Sequence, residues 1–348
     1  NPNTNINLNY NWYGWSTVDL STPIEIRGFR IRNRIVLPPM ATELATEDGK
    51  VTPELIKHYD ERSRGPGLVI VEHSYIAKNG KASPKQLGIH NDELIDGLRN
   101  LAETIKGNGA IALIQLNHAG GRALSLIIGE KPIAPSPIKF STWIEEPREM
   151  TFQDIINTKE AFKKAAERAI KAGFDGIEIH GAHGFLLNQF FSPLTNKRLD
   201  AYGGTLEKRM KLPLEIVREV RSVIGYGKIL SYRLGADDLM PGGITINDSI
   251  KMALKLEEEG VDIINVSGGL CGSRPPQLTG EGYFIPQAEK IKRNVKIPVI
   301  GVGGIRNPEY ANEIVKNGSV DMVAIGRAML ENPKWAEEAL KKIKYSSI

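Results

Sequence analysis

Two polar clusters stand where an apolar run gives way to glycine. One is Gly303-Gly304, closing PVIGVGG (298–304); the other is Gly326-Arg327, within MVAIGRA (322–328). Glycine permits close backbone approach, a helix starting there offers free N–H groups, and arginine grips phosphate oxygens in pairs. Together they read as a phosphate cradle, with two tight turns and a surface arginine as the plain alternative. A third cluster, His180-Gly-Ala-His183, closes GIEIHG (176–181). Alternation puts Glu178 and His180 on one side of that strand, with His183 just beyond. Such a pair can donate to a substrate oxygen on which negative charge develops. With Glu178 it could also hold zinc or iron, but no other cluster supplies further ligands, so no metal is expected. Gln115 and Arg233 are polar residues in otherwise apolar strands and need partners if buried. An internal salt bridge would serve, and so would a planar heterocycle with carbonyl and ring nitrogens.

The elements that must position these groups are regular. Eight short apolar runs occur at 34–40, 68–74, 110–117, 176–181, 228–234, 262–268, 298–304 and 322–328, separated by segments of helical period. Nearly continuous hydrophobicity marks strands covered on both faces, and strict alternation with helices marks βαβ units. Eight units close an α/β (β/α)₈ TIM barrel, expected here as a single domain over 19–348 with long βα loops at 118–153, 181–205 and 268–284. A weak repeat, AGFDGIEIHG, EGVDIINVSG and NGSVDMVAIG, puts Asp175, Asp262 and Asp321 at strand bottoms, where they would serve stability. A doubly wound sheet would want GxGxxG after its first strand; this one ends in Pro-Pro-Met. In a barrel, chemistry belongs to the loops after the strand C-termini, with phosphate at strands seven and eight.

Composition excludes several classes. The 348 residues are 41% hydrophobic and 25% charged, and 45 basic against 41 acidic residues leave +4 without a long basic run. Neither a nucleic-acid face nor a membrane span follows. The single cysteine, Cys271, excludes an internal disulfide and a four-cysteine cluster and argues for the cytoplasm. It reads as an exposed thiol without function, and His58 and His118 as structural. Residues 1–18 read as an uncharged polar arm, or an appended remnant, whose Trp12 and Trp15 could pack on the barrel.

The chain resembles the old yellow enzymes, the NADH:flavin oxidoreductase and ene-reductase group, from about residue 20 to 342. NRIVLPPM, GAHGFLLNQFFSPLTNKRLDAYGGTLEKR and IGRAMLENP carry the resemblance, in the family's order and spacing. It implies FMN, with the backbone of Pro38, Pro39, Met40 and Ala41 beside the isoalloxazine and His73 near it. Gln115 would bond the pyrimidine edge, and Arg233 would lie by N1 and O2, favouring the anionic reduced form. Gly268, Gly269, Gly303, Gly304, Gly326 and Arg327 would hold the ribityl phosphate. His180 and His183 would clamp the oxygen of an enone or phenol.

Two departures follow. The family's usual tyrosine proton donor is replaced by Phe185, which has no acidic hydrogen; Tyr283 and Tyr75 are the substitutes considered. Ala41 stands where many bacterial members have cysteine, and Glu43 where they have an aromatic residue. Glu43 is then a solvated carboxylate or, with Tyr75 and Phe185, a substrate contact. SPLTNKRLDAYGGTLEKR also resembles the dienoyl-CoA reductase and trimethylamine dehydrogenase branch, of which only the barrel chemistry would transfer.

The expected activity is ping-pong reduction of α,β-unsaturated carbonyl compounds, hydride passing from NAD(P)H through flavin N5. Rivals are an NAD(P)H:flavin or oxygen reductase, a flavin-free sugar-phosphate isomerase or aldolase, and a flavin binder without catalysis. The expected partners are small molecules, with a homo-oligomer left open.

Overall fold

The computed structural model describes residues 18–346. The arm at 1–17, with Trp12 and Trp15, lies outside the described residues. Eight parallel strands form a closed barrel: β1 (Ile35–Leu37), β2 (Leu68–Tyr75), β3 (Ile111–Asn117), β4 (Gly176–Gly181), β5 (Ile229–Gly235), β6 (Ile263–Ser267), β7 (Val299–Gly301) and β8 (Met322–Ala324). Closure comes from β8 pairing with β1, Val323 opposite Ile35. The β1, β7 and β8 strands are shorter than their apolar runs. Pro38 and Pro39 cannot donate to a ladder, and Gly303 and Gly304 adopt φ of 132° and 63°.

Eight helices surround the barrel: α1 (Pro53–Arg62), α2 (Ile95–Gly107), α3 (Phe152–Lys171), α4 (Leu206–Ile224), α5 (Ile246–Glu258), α6 (Ile285–Lys292), α7 (Pro308–Lys316) and α8 (Trp335–Ser346). Threonine caps α1, α3, α4 and α5: Thr52, Thr151, Thr205 and Thr245 each accept a backbone N–H from the first turn. Such caps satisfy donors that the helix itself cannot.

Strand alternation sorts the apolar residues into two bodies. Val69, Val71, Ala112, Ile114, Ile177 and Ile179 face the helices. Leu68, Ile70, Leu113, Ile229, Ile263 and Ile300 fill the barrel floor, together with Ile26 and Ile31 from the hairpin Ile24–Ile26/Phe29–Ile31. The barrel is therefore filled at its N-terminal end, and room remains at the C-terminal mouth.

The repeated aspartates lie at that lower end and join strands. Asp175 accepts the Ala112 amide, Asp262 the Leu230 amide and Asp321 the Val299 amide, each at 2.9 Å. Each also pairs with a cation, through Lys106 at 3.5 Å, Arg221 at 2.5 Å and Lys292 at 2.6 Å. Asp262 and Arg221 are the most buried pair, with side chains 8% and 4% exposed. Removing one member of a buried pair leaves the other charge uncompensated. Asp262→Ala is therefore expected to cost about 3–5 kcal/mol, read as a lower urea midpoint, with the remaining folded protein keeping its cofactor stoichiometry.

Candidate active site

The C-terminal mouth of the barrel opens into a cavity of about 480 Å³, within the range of about 300–1,000 Å³ usual for cofactor and ligand sites. Its floor is a polar layer on the apolar plug. Glu178, fully buried on β4, accepts from Gln115 Nε2 at 3.0 Å, Ser231 Oγ at 2.8 Å and Asn265 Nδ2 at 3.0 Å. Burial raises its carboxyl pKa, opposed by the Arg233 charge and these three donors. Glu178 thus binds strands β3, β5 and β6, and the histidine–carboxylate grouping of the metal alternative does not form: among the described residues no cluster suited to a metal occurs.

Gln115 and Arg233 stand above this layer and line the cavity with Pro38, Pro39, Met40, Ala41 and His73. Arg233 is 5% exposed, and its buried Nε has no hydrogen-bond partner. A buried guanidinium with an orphaned donor calls for an external acceptor. At the opposite end lie Gly304, Gly326 and Arg327. A Cβ on Gly304 would come within 2.9 Å of the Tyr283 ring and 3.3 Å of Arg327 Nη2. Donor set and cradle fit FMN: Gln115 and Arg233 for the ring's polar edge, Gly304, Gly326 and Arg327 for its phosphate.

His73 reaches the cavity through an irregularity. Leu68 and Ile70 face inward, so strict alternation would send Glu72 in and His73 out. A register shift between Val71 and Ser74 reverses this. Glu72 instead accepts from Tyr59 Oη at 3.1 Å and Thr42 Oγ1 at 2.8 Å, and His73 Nδ1 receives Asn117 Nδ2 at 3.0 Å.

His180 and His183 stand 5.1 Å apart, ring centre to ring centre, almost perpendicular at 86°. His180 Nδ1 accepts the Ala182 amide at 3.2 Å, which places its proton on Nε2. His183 Nε2 lies 2.7 Å from Ser267 Oγ. With the hydroxyl donating, His183 carries its proton on Nδ1. Its backbone sits at φ 57°, an uncommon conformation for histidine, and its amide donates to Gly268 O at 3.0 Å. Burial, then neighbouring positive charges, holds both rings well below the ordinary 6.5. Both are neutral N–H donors at neutral pH.

Phe185 packs 4.9 Å from His180 and 5.4 Å from His73. Other expected positions fall elsewhere. Tyr283 Oη donates to Ser273 O at 2.8 Å and receives Arg327 Nη2 at 3.3 Å, so it belongs to the phosphate end and is not positioned to protonate a substrate at the histidines. Tyr75 is buried against His90, rings 4.5 Å apart, and is absent from the cavity lining; it sits in the shifted part of β2. Glu43 accepts from Ser83 and the Lys85 amide, pinned outside the cavity. Gly268 and Gly269 lie under the loop: a Cβ on Gly268 would strike Gly272 O, and one on Gly269 would strike Asp238. Gly303 supports Gly304, its carbonyl accepting from Gly282 and Tyr283. His118 is structural, held by Asn79 and the Gly120 amide. Cys271 donates to Asp237 O, and burial pushes its thiol up to about 12.

Sequence reasoning missed Ser267 and Arg122. Ser267, the last residue of β6, carried one signal, a polar residue at a strand mouth. Arg122 lies in a Gly-Gly-Arg turn after β3 and lines the cavity too.

A family model described as NADH:flavin oxidoreductase / NADH oxidase matches residues 19–345. The chain belongs to that family. It is 44% identical over 326 residues to an NADPH dehydrogenase of Geobacillus sp. (strain WCH70), covering 93% of this chain and 94% of the relative. It is 44% identical over 316 residues to an NADH oxidase of Thermoanaerobacter brockii, covering 89% of this chain; the chain spans about half of that relative, 48%. The old yellow enzyme homologue of Zymomonas mobilis superposes with a TM-score of 0.82 at 26% identity, over 93% of each chain. The family makes the chain an FMN-dependent oxidoreductase with a nicotinamide donor. Among the described residues no helix is long and apolar enough to cross a membrane.

Two predictions follow from this geometry. Ser267→Ala frees the His183 tautomer while Ser267→Thr keeps the hydroxyl. The alanine variant is expected to weaken binding of a phenol to the oxidised holoenzyme about tenfold, one hydrogen bond's worth, read from the long-wavelength charge-transfer band, and threonine to restore it. The second concerns pH. Burial lowers His73 and His118 to about 4 and also holds His180 and His183 well below their ordinary value, whereas the unfolded chain titrates near 6.5. The unfolded state takes up protons first, so this stability is lost as pH falls from 6.5 towards 4. Glu72, pushed up to about 7 by burial, acts oppositely: its contribution is present below about 4.5 and lost as pH rises to 7. The urea midpoint of the cofactor-free protein is expected to fall from pH 7 to 5, and to fall more steeply in Glu72→Gln.

Proposed function

We propose that this enzyme reduces the carbon–carbon double bond of α,β-unsaturated carbonyl compounds, using a nicotinamide as electron source. The observation that carries this reading is the pair of neutral imidazoles at one end of the cavity, each with one ring nitrogen fixed by the protein. Neutral donors fixed in place bind an oxygen that gains negative charge without first paying for reorientation. Bound FMN supplies two-electron hydride transfer between the nicotinamide and the alkene. The residues do the rest. Gln115 and Arg233 would hold the ring edge where charge accumulates on reduction. Gly304 and Arg327 would hold the phosphate. His180 and His183 polarise the substrate carbonyl and make its β-carbon electrophilic. Phe185 closes the wall behind His180 and excludes water from that side. The α-carbon receives its proton from solvent, since among the described residues no tyrosine hydroxyl stands by the clamp.

A second reading, reduction of oxygen without a dedicated alkene, draws on the same absence at Phe185 and on the name of the Thermoanaerobacter relative. Stopped-flow reoxidation of the NAD(P)H-reduced holoenzyme separates the two. Anaerobic 2-cyclohexenone is expected to reoxidise the wild type. His180→Ala with His183→Ala is expected to slow this step about 100-fold and to leave reoxidation by oxygen within a few-fold. A wild type that reacts with oxygen alone would establish the second reading.

A further inference from the structure

Among the described residues five arginines line the cavity, Arg122, Arg233, Arg274, Arg306 and Arg327, and no acidic side chain does. Three have a visible assignment, and Arg274 follows Ser273, which accepts from Tyr283 at the phosphate end. Arg233 stands over Glu178 at the ring edge, and Arg327 meets Tyr283 at the phosphate end. Arg306 forms a forked pair with Glu331 at 2.7 and 3.0 Å.

Arg122 has none of these roles. Its Nη1 donates to His183 O at 2.6 Å, and its guanidinium lies 4.3 Å from the centre of the Phe185 ring. Phe185 in turn packs on His180. One hydrogen bond and one cation–π contact therefore fix this cation beside both clamp histidines. No carboxylate pairs with Arg122 among the described residues, and Nε and Nη2 make no hydrogen bond there. The side chain reaches solvent through the cavity mouth. A cation without a counter-charge on a concave wall raises the local concentration of anions and selects against neutral ligands.

We propose that Arg122 binds a carboxylate of the substrate, so that the preferred alkenes are anionic: α,β-unsaturated carbonyl compounds that also carry a carboxylate. This deepens the reading above and rests on it. The histidines hold the carbonyl oxygen, the guanidinium holds the carboxylate, and the alkene between them is set in one of its two orientations. The carboxylate is not consumed. One hydride adds to the β-carbon, one solvent proton adds to the α-carbon, and NAD(P)H leaves as NAD(P)⁺.

The test compares (E)-4-oxopent-2-enoate with its methyl ester in steady-state turnover of the holoenzyme. It is paired with binding of 3- and 4-hydroxybenzoate against the corresponding hydroxybenzamides to the oxidised enzyme. The acid is expected to exceed the ester in kcat/KM by at least tenfold, and a hydroxybenzoate to bind at least tenfold tighter than its amide. Arg122→Gln should bring both ratios below about threefold, Arg122→Lys should restore part of each, and added salt should reduce both in the wild type. A wild type indifferent to the carboxylate, or an Arg122→Gln variant that keeps the preference, overturns the proposal. So does an Arg122→Gln variant whose one defect is weaker NAD(P)H binding, which would assign Arg122 to the donor's phosphates. If neither alkene reoxidises the enzyme, the enone reading fails, and the hydroxybenzoate ratio still decides the role of Arg122.

Discussion

The buried carboxylate of Glu178 is the constraint around which the site is built. A carboxylate in a barrel interior is costly unless donors surround it. Here Gln115, Ser231 and Asn265 provide them, from three different strands. The same contacts direct the Gln115 amide nitrogen downward and leave its oxygen for the cavity. They also place a negative charge beneath Arg233, which lets a guanidinium stand in an apolar barrel with its buried Nε unpartnered among the described residues. The apolar plug below and the cavity above meet at this layer.

Above it, the chemistry depends on histidines that stay uncharged. Burial and the nearby Arg233 and Arg122 charges all disfavour protonation of His180 and His183. The Ala182 amide then fixes the tautomer of His180, and the Ser267 hydroxyl holds one ring nitrogen of His183. The left-handed backbone at His183 belongs to the same device. It carries the chain round in the two residues between the imidazoles, so both rings reach one cavity. Uncharged donors suit a substrate oxygen that begins neutral and becomes negative. The cavity's positive charge stands instead on arginines at its wall.

Much of this was legible in the chain itself. Eight β-branched runs with helical segments between them specify the barrel, because strands covered on both faces read as continuous apolar runs and only βαβ units alternate in that way. The repeated aspartates showed their structural role through their place before a strand, and each does join its strand to the one before it. Gln115, His180, Arg233 and Arg327 stood out as polar groups at strand mouths. His183, Gly304 and the Pro38–Ala41 turn line the same cavity.

The rest needed the tertiary structure, for identifiable reasons. His73 enters the cavity through a register shift in β2, and strict alternation, the rule a sequence offers, would have turned it away. Tyr283 and Tyr75 carry the right hydroxyl for proton transfer, but loop packing sends one to Arg327 and the other against His90. Arg122, in a turn, and Ser267, at the end of β6, lie 145 positions apart in the numbering and meet at His183. Periodicity specifies which residues a strand turns inward, because side-chain direction is a local property of backbone geometry. Which of those groups touch, which tautomer each adopts and which cation goes unpaired depend on contacts between distant loops, and those exist only once the barrel has closed.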